Sequence, residues 1–153
     1  MCSLYDDVQA GGVPSRELVI LVGMQGSGKT YYCRTVLGGH VRISQDEGPR
    51  SLGGVLARLE ELLAERTPLI VIDRTNPIRS QRESFAHLAR QAGYRVKIVH
   101  FDLPREVCED RIQHRSGHPT LDAASMAMAI SRYLSCLETP TELECDELVI
   151  VRQ

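Results

Sequence analysis

The sequence predicts an α/β domain in which a central parallel sheet of about five strands is flanked by helices. Two observations carry this prediction: short apolar runs rich in β-branched residues, and intervening segments whose apolar residues recur every three to four positions. Uninterrupted apolar runs are typical of strands that are buried on both faces of a sheet. Because strands and helices alternate, the strands should be parallel, and ligands should bind beyond the carboxyl ends of those strands.

The apolar runs and the periodic segments give the boundaries of the predicted elements. The predicted strands are Leu18–Val22, Val41–Ile43, Leu69–Ile72, Val96–Phe101 and Leu148–Val151. The predicted helices lie within Thr30–Leu37, Leu52–Leu63, Phe85–Ala92, Val107–Ile112 and Met126–Leu137. The apolar residues of Leu52–Leu63 and of Phe85–Ala92 repeat at the spacing of one helix face.

The length of the chain favours a single folded domain. A chain of 153 residues can bury most of its apolar surface in one core, and a second domain is not expected. Residues 1–16 contain Gly11, Gly12 and Pro14 without periodic apolar positions. We therefore expect a flexible N-terminal arm over residues 1–16 and the folded domain over residues 17–153.

The composition argues against several classes of protein. The hydrophobic fraction of 42% and the charged fraction of 25% are usual for a soluble globular domain, and no apolar run approaches the roughly 20 residues that cross a bilayer. Acids near the start replace the bases of a secretory signal, so we expect a cytoplasmic or nuclear protein without a membrane partner. Five cysteines without a C-x-x-C pair argue against a disulfide framework or a zinc site. With a net charge of −2, any contact with nucleic acid must come from a local basic patch.

A glycine-rich loop follows the first predicted strand and carries the strongest functional signal. It comprises Gly23, Met24, Gln25, Gly26, Ser27, Gly28, Lys29 and Thr30. The backbone N–H groups of such a loop wrap the phosphates of a nucleoside triphosphate, helped by the positive end of the helix that follows. Lys29 would reach the β and γ phosphates, and the Thr30 hydroxyl would hold Mg²⁺. Only Lys29 and Lys97 are lysines among the 18 basic residues, so this lysine is not easily explained by chance.

Asp46 is the candidate general base. It follows the short second strand and should therefore lie at the same edge of the sheet as the glycine-rich loop. A carboxylate there can accept the proton of an attacking hydroxyl and hold that hydroxyl in line with the γ phosphate. Considered alone, an acid in a solvated turn explains the same residue.

Asp73 ends the third apolar strand, as in the Walker B arrangement, where the carboxylate supports Mg²⁺ or its water. The segment that follows supplies hydrogen-bond donors for an acceptor, namely Arg74, Asn76 and Arg82. Without the glycine-rich loop, a strand followed by a capped loop and an amphipathic helix explains this segment almost equally well.

Three arginines, Arg105, Arg111 and Arg115, surround a predicted helix and the stretch 116–119 after it, which we expect to be flexible. Arg111 and Arg115 are four residues apart and so share a helix face. An arginine on such a lid can close over the triphosphate and neutralise charge in the transition state. A solvated basic face is the simpler alternative when these arginines are considered alone.

The ordered set of motifs closely resembles the polynucleotide 5′-hydroxyl kinase family, which includes the kinase domains of phage and animal end-healing enzymes. The resemblance covers the chain from about residue 18 to its end and rests on the combination of motifs. It implies a P-loop kinase fold with a short lid. The implied reaction transfers the γ phosphate of ATP or GTP, with Mg²⁺, to the 5′-hydroxyl end of RNA or DNA in end healing or repair.

The resemblance also implies roles for individual residues. Lys29 and Thr30 match the loop residues that contact phosphate and Mg²⁺, and Asp46 matches the aspartate that acts as general base toward the 5′-hydroxyl. Asp73 matches the aspartate that closes the third core strand. Asn76 and Arg82 fall in the segment after it and are assigned to the substrate.

The lid and the acceptor side include one departure from the family. Arg115 resembles the lid arginine on the donor phosphates, and Arg111 lies one turn before it. Three residues after its general base, the phage enzyme has an arginine that holds the 3′ phosphate of the acceptor, but here that position is Pro49. Arg50 would have to substitute with a shifted geometry.

Two other functions use the same motifs. A small-molecule or nucleoside kinase would share the phosphate machinery but hold its acceptor in a closed pocket beside Asp46. A nucleotide-dependent switch or binding module would need no general base. The chain carries no phosphatase or ligase motif, so partner healing or ligase domains are expected only if the kinase belongs to a larger protein.

Overall fold

The computed structural model describes residues 16–44, 48–116 and 119–152, and of residues 115–116 and 119–123 only the backbone. The predicted N-terminal arm lies outside the described residues except for Arg16. Asp46 and the centre of the predicted flexible stretch, residues 117–118, also lie outside them.

The described residues form five strands and five helices, which alternate along the chain except that the last two helices are consecutive. The strands are β1 Glu17–Val22, β2 Val41–Ser44, β3 Leu69–Asp73, β4 Arg95–Phe101 and β5 Glu147–Val151. The helices are α1 Lys29–Thr35, α2 Leu52–Ala64, α3 Arg79–Gln91, α4 Arg105–Ser116 and α5 Pro119–Cys136, and a short 3-10 helix spans Glu142–Glu144. The predicted α/β architecture is confirmed. The last helix begins at Pro119, earlier than the predicted Met126, since proline in a first helical turn lacks only an N–H that has no partner there.

The five strands form one sheet in the order β2-β3-β1-β4-β5, and every neighbouring pair is parallel. β1 is therefore the central strand, with β3 on one side and β4 on the other. At the outer pair, Ser44 of β2 lies opposite Asp73 of β3. This register brings the carboxyl ends of β2 and β3 to the same edge of the sheet as the glycine-rich loop after β1.

Side chains of β1 alternate between the two faces of the sheet, as strand geometry requires. Leu18 and Ile20 pack in the core beneath α2 and α3, whereas Val19 and Leu21 pack on the opposite face with Cys33 of α1. A third cluster joins the glycine-rich loop to α4 and α5 through Met24, Leu103, Cys108, Ile112, Ile130 and Tyr133. The position of the loop thus depends on apolar packing on both sides of it.

The cysteines in the described residues, Cys33, Cys108, Cys136 and Cys145, are free thiols. Burial, assisted by the charge of Asp73, raises the pKa of Cys33 to about 11, so this residue stays a neutral thiol at physiological pH. No helix in the described part of the chain has both the length and the apolar character needed to span a bilayer.

Leu59 provides a test of the core. It lies on α2 with no exposed surface, and Leu59→Ala should lower the free energy of unfolding by about 2 to 5 kcal/mol through lost burial and a residual cavity. The same substitution at Leu143, which is 87% exposed, should change it by less than about 0.5 kcal/mol. Urea unfolding of both variants measures the difference, and equal losses would contradict the described core.

Candidate nucleotide-binding site

The glycine-rich loop turns at glycines, and at Gly26 the surroundings leave no space for a side chain. Gly26 and Gly28 have φ angles of +78° and +100°, in the left-handed region that favours glycine. A Cβ atom on Gly26 would lie 2.5 Å from the Cys108 carbonyl oxygen of α4 and 2.9 Å from a carbon of Ile112. Glycine at this position therefore lets the loop backbone lie against α4, and backbone N–H groups are what phosphate-binding loops present to their ligand.

Lys29 folds back over this loop. Its Nζ donates hydrogen bonds to the carbonyl oxygens of Gly23, at 2.8 Å, and Met24, at 2.9 Å. These bonds keep the ammonium group next to the first residues of the loop. A phosphate in the loop would compete for the ammonium group, since charge-assisted hydrogen bonds are stronger than those to neutral carbonyls.

A cavity of about 200 Å³ lies between the loop and the end of β3. Its lining includes Lys29 and Thr30 at the start of α1, Asp73 and Arg74 at the end of β3, and Met126 of α5. Residues predicted from separate motifs thus meet in one place. The exposed Tyr31 also lines this cavity. The motifs gave no signal for Tyr31 or Met126, because neither belongs to a recognised pattern.

Asp73 is paired with Arg42, a partner that sequence reasoning missed. Arg42 contacts the Asp73 Oδ2 atom through Nε, at 2.8 Å, and through Nη2, at 2.7 Å. The Asp73 side chain is only 5% exposed, so the arginine compensates a buried negative charge. Arg42 lies on β2 and Asp73 on β3, and only the register of these two strands brings them together.

The residues around the cavity fit a magnesium ion bound together with nucleotide phosphates. The Thr30 hydroxyl and the Asp73 carboxylate line the same cavity, and such hard oxygen ligands are the type that Mg²⁺ takes. Among the described residues, no cluster of three or more His, Cys, Asp or Glu side chains could hold a metal ion by itself. An ion here would therefore take its remaining ligands from phosphate and water.

Within the described part of the chain, Arg74 lacks hydrogen-bond partners for donor atoms in a place where burying a charge costs free energy. Its Nε and Nη1 atoms are buried, and neither has a hydrogen-bond partner among the described residues. Burial lowers the pKa of its guanidinium group, although an arginine keeps its proton at physiological pH. A half-buried guanidinium group with unpaired donor atoms beside a phosphate loop is the arrangement that an anionic ligand would complete.

Of the arginines predicted near the lid, the structure brings Arg111 to the loop. Its Nη1 donates to the Ser27 carbonyl oxygen at 3.3 Å. Arg105 instead binds Glu109 at 2.8 Å and Ser131 at 2.9 Å, within the pair of helices α4 and α5. Arg115 lies in α4, and its side chain is outside the description.

Arg82 and Asn76 require a correction, because the structure does not present them to an acceptor. The Arg82 side chain has no exposed surface, and its Nε lies 2.8 Å from the Glu144 Oε1 atom. Asn76 is 2% exposed and donates to the Leu21 carbonyl oxygen at 2.7 Å. Both side chains donate their hydrogen bonds to groups inside the protein. They therefore hold the segment after β3 in place instead of contacting a ligand.

The acceptor side predicted from the second strand is only partly described. Asp46 lies outside the described residues, two positions beyond Ser44. Arg50 is exposed and precedes Ser51, whose hydroxyl accepts a hydrogen bond from Gly54 and caps α2. Arg50 is not part of the cavity lining within the described residues.

A parallel sheet with a phosphate loop after its central strand, bordered by lysine, threonine and aspartate, defines a P-loop kinase-like domain. Residues 18–138 match the model of the AAA domain family, so the chain belongs to that family. Two solved structures share the fold. A gluconokinase from Sinorhizobium meliloti 1021 has a TM-score of 0.63 at 23% identity, over 92% of this chain and 84% of that chain. A fungal RNA kinase has a TM-score of 0.60 at 12% identity, over 92% of this chain and 76% of that chain.

Two curated proteins are similar in sequence. Transcription factor bHLH140 of Arabidopsis thaliana is 30% identical over 131 residues, which are 80% of this chain and 14% of that protein. The bifunctional polynucleotide phosphatase/kinase of Schizosaccharomyces pombe is 29% identical over 105 residues, which are 67% of this chain and 25% of that protein. The chain thus spans at most a quarter of the length of these two relatives.

Lys29→Ala tests the assignment of the loop. Removing the ammonium group should abolish phosphate transfer from a nucleoside triphosphate, because the loop then lacks the charge that follows the moving phosphoryl group. Single-turnover release of labelled phosphate measures this. The only other lysine is Lys97, which is half-buried on β4. Lys97→Ala should leave the rate unchanged. A Lys29→Ala rate within about tenfold of wild type would contradict the assignment.

Proposed function

We propose that this domain is a polynucleotide 5′-hydroxyl kinase, which transfers the γ phosphate of ATP or GTP to the 5′-hydroxyl end of RNA or DNA. The observation that carries the proposal is the unpartnered Arg74 guanidinium in the cavity beside the phosphate loop. The loop and Lys29 already provide for the donor phosphates. A further, half-buried cation with unpaired donor atoms at the adjoining strand end favours an acceptor that brings its own phosphate, as a nucleic-acid end does.

The similar proteins support the same acceptor class. One curated relative is named a bifunctional polynucleotide phosphatase/kinase, and one structural neighbour is an RNA kinase. Because the chain spans 25% of the first of these, further healing domains beside the kinase belong to the proposal. The gluconokinase similarity supports a small-molecule kinase as the second candidate.

On the donor side, the loop amides and Lys29 bind the β and γ phosphates, and Arg111 steadies the loop through Ser27. The Thr30 hydroxyl and the Asp73 carboxylate would hold Mg²⁺, and the ion would supply neutralisation of charge on the phosphates. Arg115, one turn beyond Arg111 on α4, supplies further positive charge to the transferred group. Most of the catalysis is then positioning and charge neutralisation.

On the acceptor side, Asp46 accepts the proton of the 5′-hydroxyl as its oxygen attacks the γ phosphorus. The bond between that phosphorus and the β–γ bridging oxygen breaks, which leaves a nucleoside diphosphate and a 5′-phosphate end. The register supports this placement, because Ser44, two residues before Asp46, lies opposite Asp73. Arg74 and the exposed Arg50 bind phosphates of the acceptor.

A panel of acceptors tests the proposal. Labelled γ phosphate should pass to 5′-hydroxyl RNA or DNA oligonucleotides and to nucleoside 3′-phosphates, and far more slowly to nucleosides or gluconate. In these acceptors, Arg74 binds the phosphate next to the attacked sugar. A nucleoside has no such phosphate. Efficient transfer to gluconate or a nucleoside, with none to oligonucleotides, would replace the proposal with the small-molecule alternative.

Asp46→Asn separates acceptor activation from nucleotide binding. Asparagine keeps the shape and one acceptor oxygen but does not readily take a proton, so single-turnover transfer to an oligonucleotide should fall at least about a hundredfold. Binding of a fluorescent nucleotide with Mg²⁺ should match wild type. Equal transfer rates would remove Asp46 as the base, and lost nucleotide affinity would assign it to the metal site.

Arg74→Gln tests the acceptor contact. The substitution should lower kcat/KM for oligonucleotide acceptors by roughly a hundredfold, the size expected for a charge-assisted hydrogen bond, while nucleotide affinity stays the same. Arg58→Gln, on the exposed face of α2, is the matched control and should behave as wild type. A loss confined to nucleotide affinity would place Arg74 on the donor instead.

A further inference from the structure

Asn76 joins the segment after β3 to the strand that carries the phosphate loop. Its φ angle is +49°, in the left-handed region, and its side chain is buried. Its Nδ2 donates to the Leu21 carbonyl oxygen at 2.7 Å. Next to this bond, the Gly23 N–H donates to the Thr75 carbonyl oxygen at 3.1 Å. The start of the phosphate loop is therefore attached at two points to the segment that also carries Arg74.

A buried ion pair holds Asn76 from the other side. The Arg82 Nη1 atom donates to the Asn76 carbonyl oxygen at 2.9 Å. The Nε and Nη2 atoms of the same guanidinium group contact the two carboxylate oxygens of Glu144 at 2.8 and 3.2 Å. Glu144 is itself fixed by the Thr141 N–H at 3.0 Å. Asn76 thus has little freedom to move.

The same arginine connects this segment to the end of α5. Its Nη2 donates to the Glu138 carbonyl oxygen at 2.8 Å. The Glu138 N–H donates to the Pro77 carbonyl oxygen at 2.8 Å, and the Glu138 carboxylate accepts from the Arg79 N–H at 2.7 Å. The network thus extends from the buried Arg82 to Glu138, an exposed residue just after α5, and α5 is the helix that contributes Met126 to the cavity.

We infer that Asn76, held by the Arg82–Glu144 pair, is a positioning residue for nucleotide binding, although neither Asn76 nor the pair lines the cavity. The network fixes the start of the phosphate loop relative to the end of β3 and to α5. Buried ion pairs are weak evidence for stability, because apolar residues of similar volume often stabilise equally well. What apolar residues cannot supply is the set of directed hydrogen bonds to Asn76 and Glu138.

A pair of glycine substitutions tests the inference independently of the acceptor. Glycine adopts a positive φ at no cost, so Asn76→Gly removes the hydrogen bond to Leu21 while the backbone can keep its shape. Among the described residues, Arg66 is the other non-glycine residue with a left-handed backbone conformation, with a φ of 63°. Arg66→Gly is therefore the matched control. The dissociation constant for a fluorescent ATP analogue with Mg²⁺ should rise at least about tenfold in Asn76→Gly and stay unchanged in Arg66→Gly. Unchanged affinity in a folded Asn76→Gly would overturn the inference.

The ion pair is tested by an apolar replacement. The double variant Arg82→Met, Glu144→Leu keeps the volume but loses the directed bonds, so it should unfold at a temperature close to wild type while binding the nucleotide at least about tenfold more weakly. Arg90→Ala is the control, since it removes only the bond from a neighbouring surface arginine to the Glu144 carbonyl oxygen. Wild-type affinity in the folded double variant would overturn the role of the pair, and if the variant does not fold, the glycine pair decides. Because nucleotide binding is the readout, a failure of the proposed acceptor leaves this result unaffected.

Discussion

The site depends on one steric constraint: at Gly26 of the phosphate loop there is room for backbone only. A Cβ atom on Gly26 would collide with the Cys108 carbonyl oxygen of α4, so no other residue type allows the loop to lie against that helix. Because the loop is backbone there, its N–H groups are available to a ligand and Lys29 can fold over it. The central position of β1 in the parallel sheet then decides which strand ends face the loop.

The two charged residues at the end of β3 differ in whether a partner compensates their charge. Asp73 is compensated by Arg42, whereas Arg74 has buried donor atoms without partners among the described residues. Leaving a buried polar group unpaired costs roughly 1 to 3 kcal/mol, and more when the group is charged. An anion that binds next to the phosphate loop would pair with these donor atoms and so remove this free-energy cost. The balance of charge therefore favours ligand binding over stability at this strand end.

The donor side of the site could be predicted from the sequence because its signals are local. A strand, a glycine-rich loop and a helix are consecutive in the chain, and the apolar periods that mark them do not depend on distant residues. The roles of Asn76 and Arg82 could not be predicted in this way. Asn76 binds a carbonyl oxygen 55 residues away, and Arg82 pairs with a carboxylate 62 residues away. The pairing of Arg42 with Asp73, 31 residues apart, likewise requires the register of the strands.

The attachment of the segment after β3 to the phosphate loop has a thermodynamic consequence. Arg74 and Thr75 precede Asn76 directly, so a group that binds to Arg74 and a nucleotide that binds in the loop act on the same short piece of backbone. If each ligand orders that backbone, the second ligand to bind pays a smaller cost in conformational entropy than the first. Linkage then requires the coupling to be reciprocal: the factor by which the nucleotide improves acceptor binding equals the factor by which the acceptor improves nucleotide binding. The hydrogen bonds of Arg82 hold the segment through Asn76, so in the proposed kinase they would influence the size of this coupling without lining the cavity.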